Sequence, residues 1–396
     1  EAQAQKAPIE RLLDKYAKFY TPVALGLGGL LWWISGDPLR AITMLIVFCP
    51  CVMVLATPTA LVASIGNAAL RGSLVKKGAS VEALSRVDTV AFDKTGTVTR
   101  GQPRLIEVIA LNGIAEGDLL RLAASAEKFS EHPLGRAVVA GAHERGLEVP
   151  DPDRFSTLAG LGVEATVGGQ TVVLARRSLL LERGLAISAA AEQRMLELEQ
   201  RGRGVLPVAF AGELAGLLVV EDTLRPEARG AVADLTAMGI RTVLVTGDNR
   251  PTAERIAAEL GITDVHAEVL PQEKVAIVRR LQAGGRSVAF VGDGVNDGPA
   301  LAAADVGIAM GLAGTDVAIE TAEIALLSDD LAKLPHLLLL SRRALRAIKQ
   351  NVIFSLAVLT GAVVLTFIGI LTPVTGALLH ELSSIPVIMN SARLIS

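Results

Sequence analysis

The chain has 396 residues, of which 51% are hydrophobic and 20% are charged, and its formal net charge is -3. This length exceeds that of one ordinary domain, and so apolar a composition excludes a purely soluble enzyme and predicts membrane spans. A net charge near zero argues against nucleic acid as a partner. The chain begins with Glu1 rather than Met and shows no signal peptide, so we expect it to be a fragment.

Four apolar segments predict four transmembrane helices around a long polar insert. An amphipathic helix over residues 8–18 comes before them. The spans are predicted at 19–36, 42–66, 352–371 and 374–395. Taken alone, the first would also fit a buried helix of a soluble domain. Lys and Arg residues cluster beside the spans on the side of the insert, 71–350. The positive-inside rule therefore places the insert in the cytoplasm, and the chain in the cell membrane as a multi-pass protein.

The insert reads as an α/β domain that is interrupted by a second domain. A β-branched apolar run ends at Asp93, and strands alternate with helices from Leu217 onward. The strands are predicted at 217–221, 242–246, 287–291 and 306–309, and the helices at 226–238, 251–260, 271–283 and 297–303. This alternation predicts a parallel sheet with crossover helices. The segment between Asp93 and Leu217 mixes helices with Gly-rich strands and forms the inserted domain. The predicted domain boundaries are 1–70, 71–100, 101–216, 217–340 and 341–396.

Three of the predicted strands end in polar loops of the same kind, at 93–97, 246–249 and 293–297. Each alone would be an ordinary turn, but the carboxyl ends of parallel strands meet at one edge of a sheet, where ligands bind. Carboxylates gathered there need a counter-charge, and Mg²⁺ with oxygen ligands is the usual answer. Mg²⁺ in turn indicates a phosphate substrate. Asp93 would then be the nucleophile, with Thr246 and Lys274 holding the phosphate.

Together the three loops resemble the signature of the P-type ATPases, cation pumps of the haloacid dehalogenase superfamily. The resemblance lies in Asp93-Lys94-Thr95-Gly96-Thr97, Thr246-Gly247-Asp248-Asn249 and Gly292-Asp293-Gly294-Val295-Asn296-Asp297. It implies a fold that is both α/β and membrane α-helical. A Rossmann-like phosphorylation domain would carry an inserted α+β nucleotide-binding domain and be flanked by two pairs of transmembrane helices.

The resemblance also assigns roles to residues of these loops. It implies that ATP phosphorylates Asp93 and that Mg²⁺ is held by Asp93, Thr95 and Asp293. The other catalytic positions that it implies are Lys94, Thr246, Gly247, Asp248, Lys274, Asn296 and Asp297. Related phosphatases carry a second Asp two residues after the nucleophile, where this chain has Thr95. Without that acid, the phosphoenzyme is expected to persist.

The inserted domain carries Ser130-Glu131-His132-Pro133, which is similar to a motif of the heavy-metal-transporting branch. In that branch the His contacts adenine, so the resemblance implies that His132 and Pro133 bind ATP. Glu127, Gly160 and Gly162 match its other nucleotide-binding positions. Without that context, His132 would be read as a surface or N-capping histidine, and the two glycines as a tight turn.

The second predicted span contains Cys49-Pro50-Cys51. The residues themselves fit either a proline kink with two small apolar thiols or a soft-metal site, and they are too close in sequence for a relaxed disulfide. The heavy-metal branch carries the same motif, which implies that Cys49 and Cys51 bind the transported ion. His380 and Glu381 are an ionisable pair inside the last apolar segment, and we predict that they join this site. Such a ligand set suits Zn²⁺, Cd²⁺ or Co²⁺ better than Cu⁺.

The resemblance thus implies a translocase that exports a heavy-metal ion through an aspartyl phosphate. ATP, Mg²⁺, the metal ion and membrane lipid are its implied ligands, with a metallochaperone as a candidate partner. Export of Cu⁺ stays open as an alternative, as do a membrane-tethered phosphatase and a non-enzymatic metal-binding membrane protein. The sequence contains no Thr-Gly-Glu actuator motif, so we expect that Asp93 can be phosphorylated but that the phosphoenzyme is not hydrolysed.

Overall fold

The computed structural model describes the backbone of residues 8–130, 132–158, 161–293, 297–311 and 320–395. Among the side chains before Thr21, it describes only that of Phe19. Along the sequence, long apolar helices come near both ends of the chain, and the strands of two β-sheets come between them. The helices are α1 Pro8–Ser35, α2 Pro38–Val47, α3 Cys51–Leu70, α4 Gly78–Arg86, α5 Glu116–Glu127, α6 Pro133–Glu144, α7 Arg177–Glu182, α8 Ala189–Gln200, α9 Ala228–Ala237, α10 Arg250–Leu260, α11 Pro271–Ala283, α12 Gly298–Ala303, α13 Lys333–Phe367, α14 Pro373–Leu382 and α15 Ser384–Ala392. The strands are β1 Ser73–Val75, β2 Thr89–Asp93, β3 Thr99–Ala110, β4 Arg154–Leu158, β5 Gly162–Val167, β6 Gln170–Ala175, β7 Gly204–Phe210, β8 Glu213–Leu224, β9 Arg241–Val245, β10 Asp264–His266, β11 Val288–Gly292, β12 Val306–Met310 and β13 Ile324–Leu326.

The chain divides into two compact units. The first contains Glu1–Val90, Met238–Arg241 and Val275–Ser396, and the second contains Ala91–Ala237 and Thr242–Lys274. The boundary passes through β2, β9 and α11, so each of these three elements begins in one unit and ends in the other.

In the first unit the strands follow the order β1-β13-β12-β11-β2. β11, β12 and β13 are parallel, whereas β1 is antiparallel to β13. Every residue of β11, β12 and β13 is buried, as expected of parallel strands that are covered on both faces. The predicted strands 287–291 and 306–309 and helices 271–283 and 297–303 are confirmed, with small shifts at their ends.

The apolar helices also belong to the first unit. Two helical stretches among the described residues, Pro38–Leu70 and Lys333–Phe367, are long and apolar enough to cross a membrane, and Thr21–Ser35 is a shorter apolar helix. α13 begins at Lys333, much earlier than the predicted span at 352. The last predicted span, 374–395, is not one helix. It is broken between α14 and α15, where Pro386 has no N–H for the carbonyl of Leu382.

In the second unit, β2, β9 and β10 are neighbours in that order, and β9 and β10 are parallel. A separate antiparallel sheet has the order β3-β8-β7-β6-β5-β4. Helices α5 and α6 pack on this sheet through a core that includes Leu119, Leu120, Val138, Leu174, Val208 and Leu218. The sheet contains β8, so the assignment of 217–221 to the parallel sheet was wrong. β8 is a twelve-residue strand that pairs with both β3 and β7.

Candidate functional site

Asp93 is the last residue of β2, a strand whose five residues are all buried. Its side chain is 6% exposed, and its Oδ1 accepts a hydrogen bond from Nζ of Lys274 at 2.6 Å. Lys274 lies near the start of α11 and is also buried. A carboxylate in an apolar strand needs such a counter-charge, because desolvation otherwise disfavours its ionised form. The sequence predicted Asp93 as the nucleophile and Lys274 as a phosphate-holding residue, and the structure brings the two together.

The loop after Asp93 is fixed by a residue that sequence reasoning missed. Gly96 has a φ of +72°, which favours glycine. Arg225 follows β8 and donates from Nε to the carbonyl of Thr97 at 2.9 Å and from Nη2 to the carbonyl of Gly96 at 3.0 Å. No motif marked this arginine; the only signal was its place at the end of a strand. The guanidinium holds the turn that carries Asp93.

The loop after β9 contacts Lys94 and closes on itself. Nζ of Lys94 donates to Oδ2 of Asp248 at 2.5 Å. Thr246 is 2% exposed, and its Oγ1 accepts from the N–H of Asp248 at 3.1 Å. A Cβ on Gly247 would lie 3.3 Å from the carbonyl oxygen of Val269, so this turn leaves little room for a side chain. The predicted catalytic residues Lys94, Thr246, Gly247 and Asp248 therefore belong to one loop arrangement.

Asp293 and Asp297 lie in the first unit, after β11. Asp293 is half-buried, and Asp297 is 1% exposed. A Cβ on Gly292 would lie 2.5 Å from Oδ2 of Asp297, so the glycine leaves space for this carboxylate. Buried oxygen ligands of this kind fit Mg²⁺. The predicted catalytic residue Asn296 lies outside the described residues.

A cavity of about 440 Å³ in the second unit is lined by part of the predicted nucleotide site. Lys94, Thr95 and Asp248 line it, and so do His132 and Pro133. His132 is the N-cap of α6, where its Nδ1 accepts from the N–H of Leu134 at 3.2 Å. Residues of two predicted catalytic loops and of the predicted base-binding motif therefore share one cavity large enough for a small ligand, whereas Thr246 and Lys274 are not among the described residues that line it.

Two other predicted nucleotide residues are not among the described residues that line this cavity. Glu127 is 7% exposed and lies against the first turn of α6, where a Cβ on Gly135 would meet its Oε2 at 2.3 Å. Burial raises the pKa of Glu127, and a hydrogen bond with Ser130 offsets part of the increase. Gly162 has a φ of +146°, and a Cβ there would lie 2.1 Å from the carbonyl oxygen of Leu174. Its local role is the close approach of β5 to β6. The predicted Gly160 lies outside the described residues.

Cys49 and Cys51 flank the junction between α2 and α3. The structure joins their sulfurs in a disulfide. Their Cα atoms are 5.5 Å apart, within the range of disulfides. The two sulfurs and a ring nitrogen of His380 lie within 4.8 Å of one another. This cluster would need reduction before it could bind an ion as thiolates.

The surroundings of this cluster are mostly apolar. A cavity of about 20 Å³, enough for one water-sized occupant, is lined by Cys49 and His380 and also by Met53, Ser355 and Ser383. Ser355 and Ser383 are buried hydroxyls, and no sequence signal pointed to Ser355. Glu381, predicted as a ligand, is exposed and does not belong to the cluster among the described residues.

The comparison with protein families decides the class of the catalytic part. Residues 87–305 match the haloacid dehalogenase-like hydrolases. This chain belongs to that family. The match begins two residues before the strand of Asp93 and runs beyond Asp297, so it includes the acidic residues described above.

Longer relatives share the whole chain. It is 43% identical over 404 residues to a copper-exporting P-type ATPase of Bacillus subtilis, with 100% of this chain and 50% of that protein aligned. It is 43% identical over 397 residues to a manganese-exporting P-type ATPase of Mycobacterium bovis, with 100% and 55% aligned. The crystal structure of a zinc-transporting PIB-type ATPase in the E2.Pi state aligns with a TM-score of 0.85 at 36% identity, covering 100% of this chain and 66% of that one.

These findings confirm the resemblance to heavy-metal P-type ATPases and the fold class that it implied. The chain spans about half the length of the curated relatives that it matches. Their names differ in the metal, since copper, manganese and zinc all occur.

Proposed function

We propose that this chain is the part of an ATP-driven heavy-metal exporter that binds ATP, accepts its γ-phosphoryl group and holds the transported ion. One observation carries the proposal. Asp93 is a buried carboxylate paired with Lys274, and the loop that follows it lines the same cavity as His132. That geometry supports transfer from a bound nucleotide to Asp93 rather than a purely structural ion pair.

In the proposed reaction, a carboxylate oxygen of Asp93 attacks the γ-phosphorus, the bond to the bridging oxygen breaks, and ADP leaves. Lys274 and Thr246 would neutralise and orient the phosphoryl oxygens. Asp93, Thr95 and Asp293 would hold Mg²⁺, with Asp297 and Asn296 beside it. Bound Mg²⁺ would supply charge neutralisation at the phosphate.

The transported ion would be bound by the thiolates of Cys49 and Cys51 together with His380. Sulfur and imidazole ligands suit a borderline divalent ion, and we propose Zn²⁺ or a similar ion over Cu⁺. The apolar helices would place this site within a cell membrane, with both sheets on the cytoplasmic side. A metallochaperone is a candidate donor of the ion. The proposed domains are 1–70, 71–100, 101–224, 225–340 and 341–396, where the predicted boundary at 216 is moved because the last strand of the nucleotide-binding part ends at Leu224.

The decisive experiment is labelling of the chain with γ-labelled ATP in the presence of Mg²⁺. We expect a label that survives acid, is released by hydroxylamine and disappears in Asp93→Asn. Asp88→Asn is the matched control, because Asp88 precedes the same strand. Absence of label in the wild-type chain would contradict the proposal, and release of free phosphate without any label would favour the membrane-tethered phosphatase.

A further inference from the structure

Glu221 joins two arginines in the wall of the cavity that contains His132 and Lys94. Its Oε1 lies 2.6 Å from Nη2 of Arg255, and its Oε2 lies 3.9 Å from Nε of Arg203. All three side chains line the cavity. Between 23% and 33% of each side chain stays exposed, so a ligand can reach the charges.

The position of Arg255 follows from the orientation of α10. Asn249 caps this helix, and Asn249, Thr252 and Arg255 all line the cavity at a spacing that puts them on one face. Arg255 therefore lies on the face of α10 that lines the cavity.

The position of Arg203 follows from a close approach of its neighbour to α10. A Cβ on Gly202 would lie 2.8 Å from Cα of Thr252 and 3.1 Å from Nε of Arg255. Gly202 also has a φ of +76°. Only glycine fits this turn without displacing α10, and the turn sets Arg203 beside Arg255.

The guanidinium of Arg255 has more donors than the surrounding acceptors use. Nη1 lies 3.5 Å from Oε2 of Glu259, and Nη2 contacts Glu221. Nε is buried and so cannot be reached by a ligand. Each Nη of a guanidinium carries two N–H donors, so Arg255 retains capacity for another acceptor through its Nη groups.

We propose that Arg203 and Arg255 bind the phosphate chain of the nucleotide and that Glu221 is the counter-ion that the phosphates displace. The inference rests on the proposed function. A nucleotide with its base at His132 and its γ-phosphate at Asp93 passes along this wall. The planar, bidentate fork of arginine matches phosphate oxygens. Until the nucleotide arrives, Glu221 shares the charge of the two guanidinium groups with two other carboxylates. Glu107 lies 3.3 Å from Nη1 of Arg203, and Glu259 lies 3.5 Å from Nη1 of Arg255.

The test is equilibrium binding of ATP, ADP and AMP to the full chain without Mg²⁺, where no transfer takes place. Arg255→Gln should weaken ATP binding about tenfold, the size expected for a charge-assisted hydrogen bond, and AMP binding less than about twofold. Arg250→Gln is the matched control. Arg250 lies on the same helix, pairs with Glu254 four residues on and does not line the cavity. It should leave all three affinities unchanged.

Glu221→Gln should change the ATP affinity in the opposite direction. It removes the competing carboxylate, so ATP should bind about threefold more tightly while AMP changes little. If the network only held the fold together, both variants would weaken every nucleotide alike, and that result would overturn the inference. A second result would also overturn it: the wild-type chain binds ATP and is labelled at Asp93, but Arg255→Gln leaves the ratio of the ATP and AMP affinities unchanged. If wild-type chain binds no ATP, the proposed function itself fails.

Discussion

Nζ of Lys274 lies 2.6 Å from Oδ1 of Asp93, and both side chains are buried. Lys274→Ala should therefore slow phosphorylation of Asp93 about a hundredfold, because the incoming phosphoryl group loses a preorganised cation. The initial rate of labelling from γ-labelled ATP measures the effect. Lys77→Ala, at an exposed lysine, should label at the wild-type rate. Wild-type labelling of Lys274→Ala would show that this ammonium plays no part in transfer.

Arg225→Lys should slow phosphorylation about tenfold without weakening ATP binding. A lysine cannot bridge the carbonyls of Gly96 and Thr97 as the guanidinium does, and Arg225 does not line the nucleotide cavity among the described residues. Labelling rate and ATP affinity are measured on the same preparation. Arg229→Lys, on the exposed face of α9, is the control. A parallel loss of ATP affinity would argue that Arg225 supports the whole cavity instead.

Gly162→Ala should destabilise the chain by about 1–3 kcal/mol, because it combines a positive φ with a clash against the backbone of β6. Thermal unfolding of the two proteins gives the comparison. Gly230→Ala provides a control in α9, where an added Cβ meets nothing within 4 Å and alanine favours the helix. If Gly162→Ala kept the wild-type stability but lost ATP binding, Gly162 would contact the nucleotide directly, as the sequence predicted.

Glu127→Gln should make the chain more stable at neutral pH. Burial raises the pKa of Glu127 in the folded state above its ordinary value. Between those two values the unfolded chain loses its proton while the folded chain keeps it, so wild-type stability falls as pH rises through the interval. The melting-temperature difference between variant and wild type should therefore grow from about pH 4.5 upward and then level off. Glu116→Gln, at an exposed position, should give a flat difference, and a difference that shrinks with pH would contradict the assignment.

Reduction should switch on metal binding at Cys49 and Cys51. A disulfide offers no thiolate, so the oxidised chain should not bind Zn²⁺ at this cluster, whereas the chain reduced with a phosphine should bind it. Equilibrium dialysis measures the bound metal. His380→Ala should weaken binding about tenfold or more, whereas His143→Ala, on α6, should not. Equal Zn²⁺ binding by oxidised and reduced chains would exclude the cysteines as ligands.

The ends of the parallel strands were predictable because each apolar run stops at a polar loop. The pairing of Asp93 with Lys274 followed from that edge. Arg225 and Glu221 could not be predicted in the same way, because their partners are main-chain carbonyls and charges far away in sequence. The strand that contains Leu217 was misassigned for a related reason. A fully buried strand has the same continuous apolar sequence in a parallel sheet and in the middle of an antiparallel sheet.

The break between α2 and α3 and the break before α15 depend on proline geometry that a hydropathy pattern does not record. Pro50 is the N-cap of α3, and Pro386 divides the last apolar segment. Runs of apolar letters predict that a segment is buried or spans a membrane, but they do not predict where its helix is interrupted.

α13 is one uninterrupted helix of 35 residues, about 52 Å long, whereas a hydrocarbon core is about 30 Å thick. In the proposed membrane-spanning arrangement, part of this helix would extend beyond the lipid. Nη2 of Arg342, in its N-terminal part, donates to the carbonyl of Val87 at 3.2 Å, two residues before β2 begins. One continuous helix thus combines an apolar segment with a hydrogen bond to the residues that lead into the strand of Asp93. We expect the rate of Asp93 phosphorylation to depend on bilayer thickness, so that it differs between vesicles of short-chain and long-chain lipids.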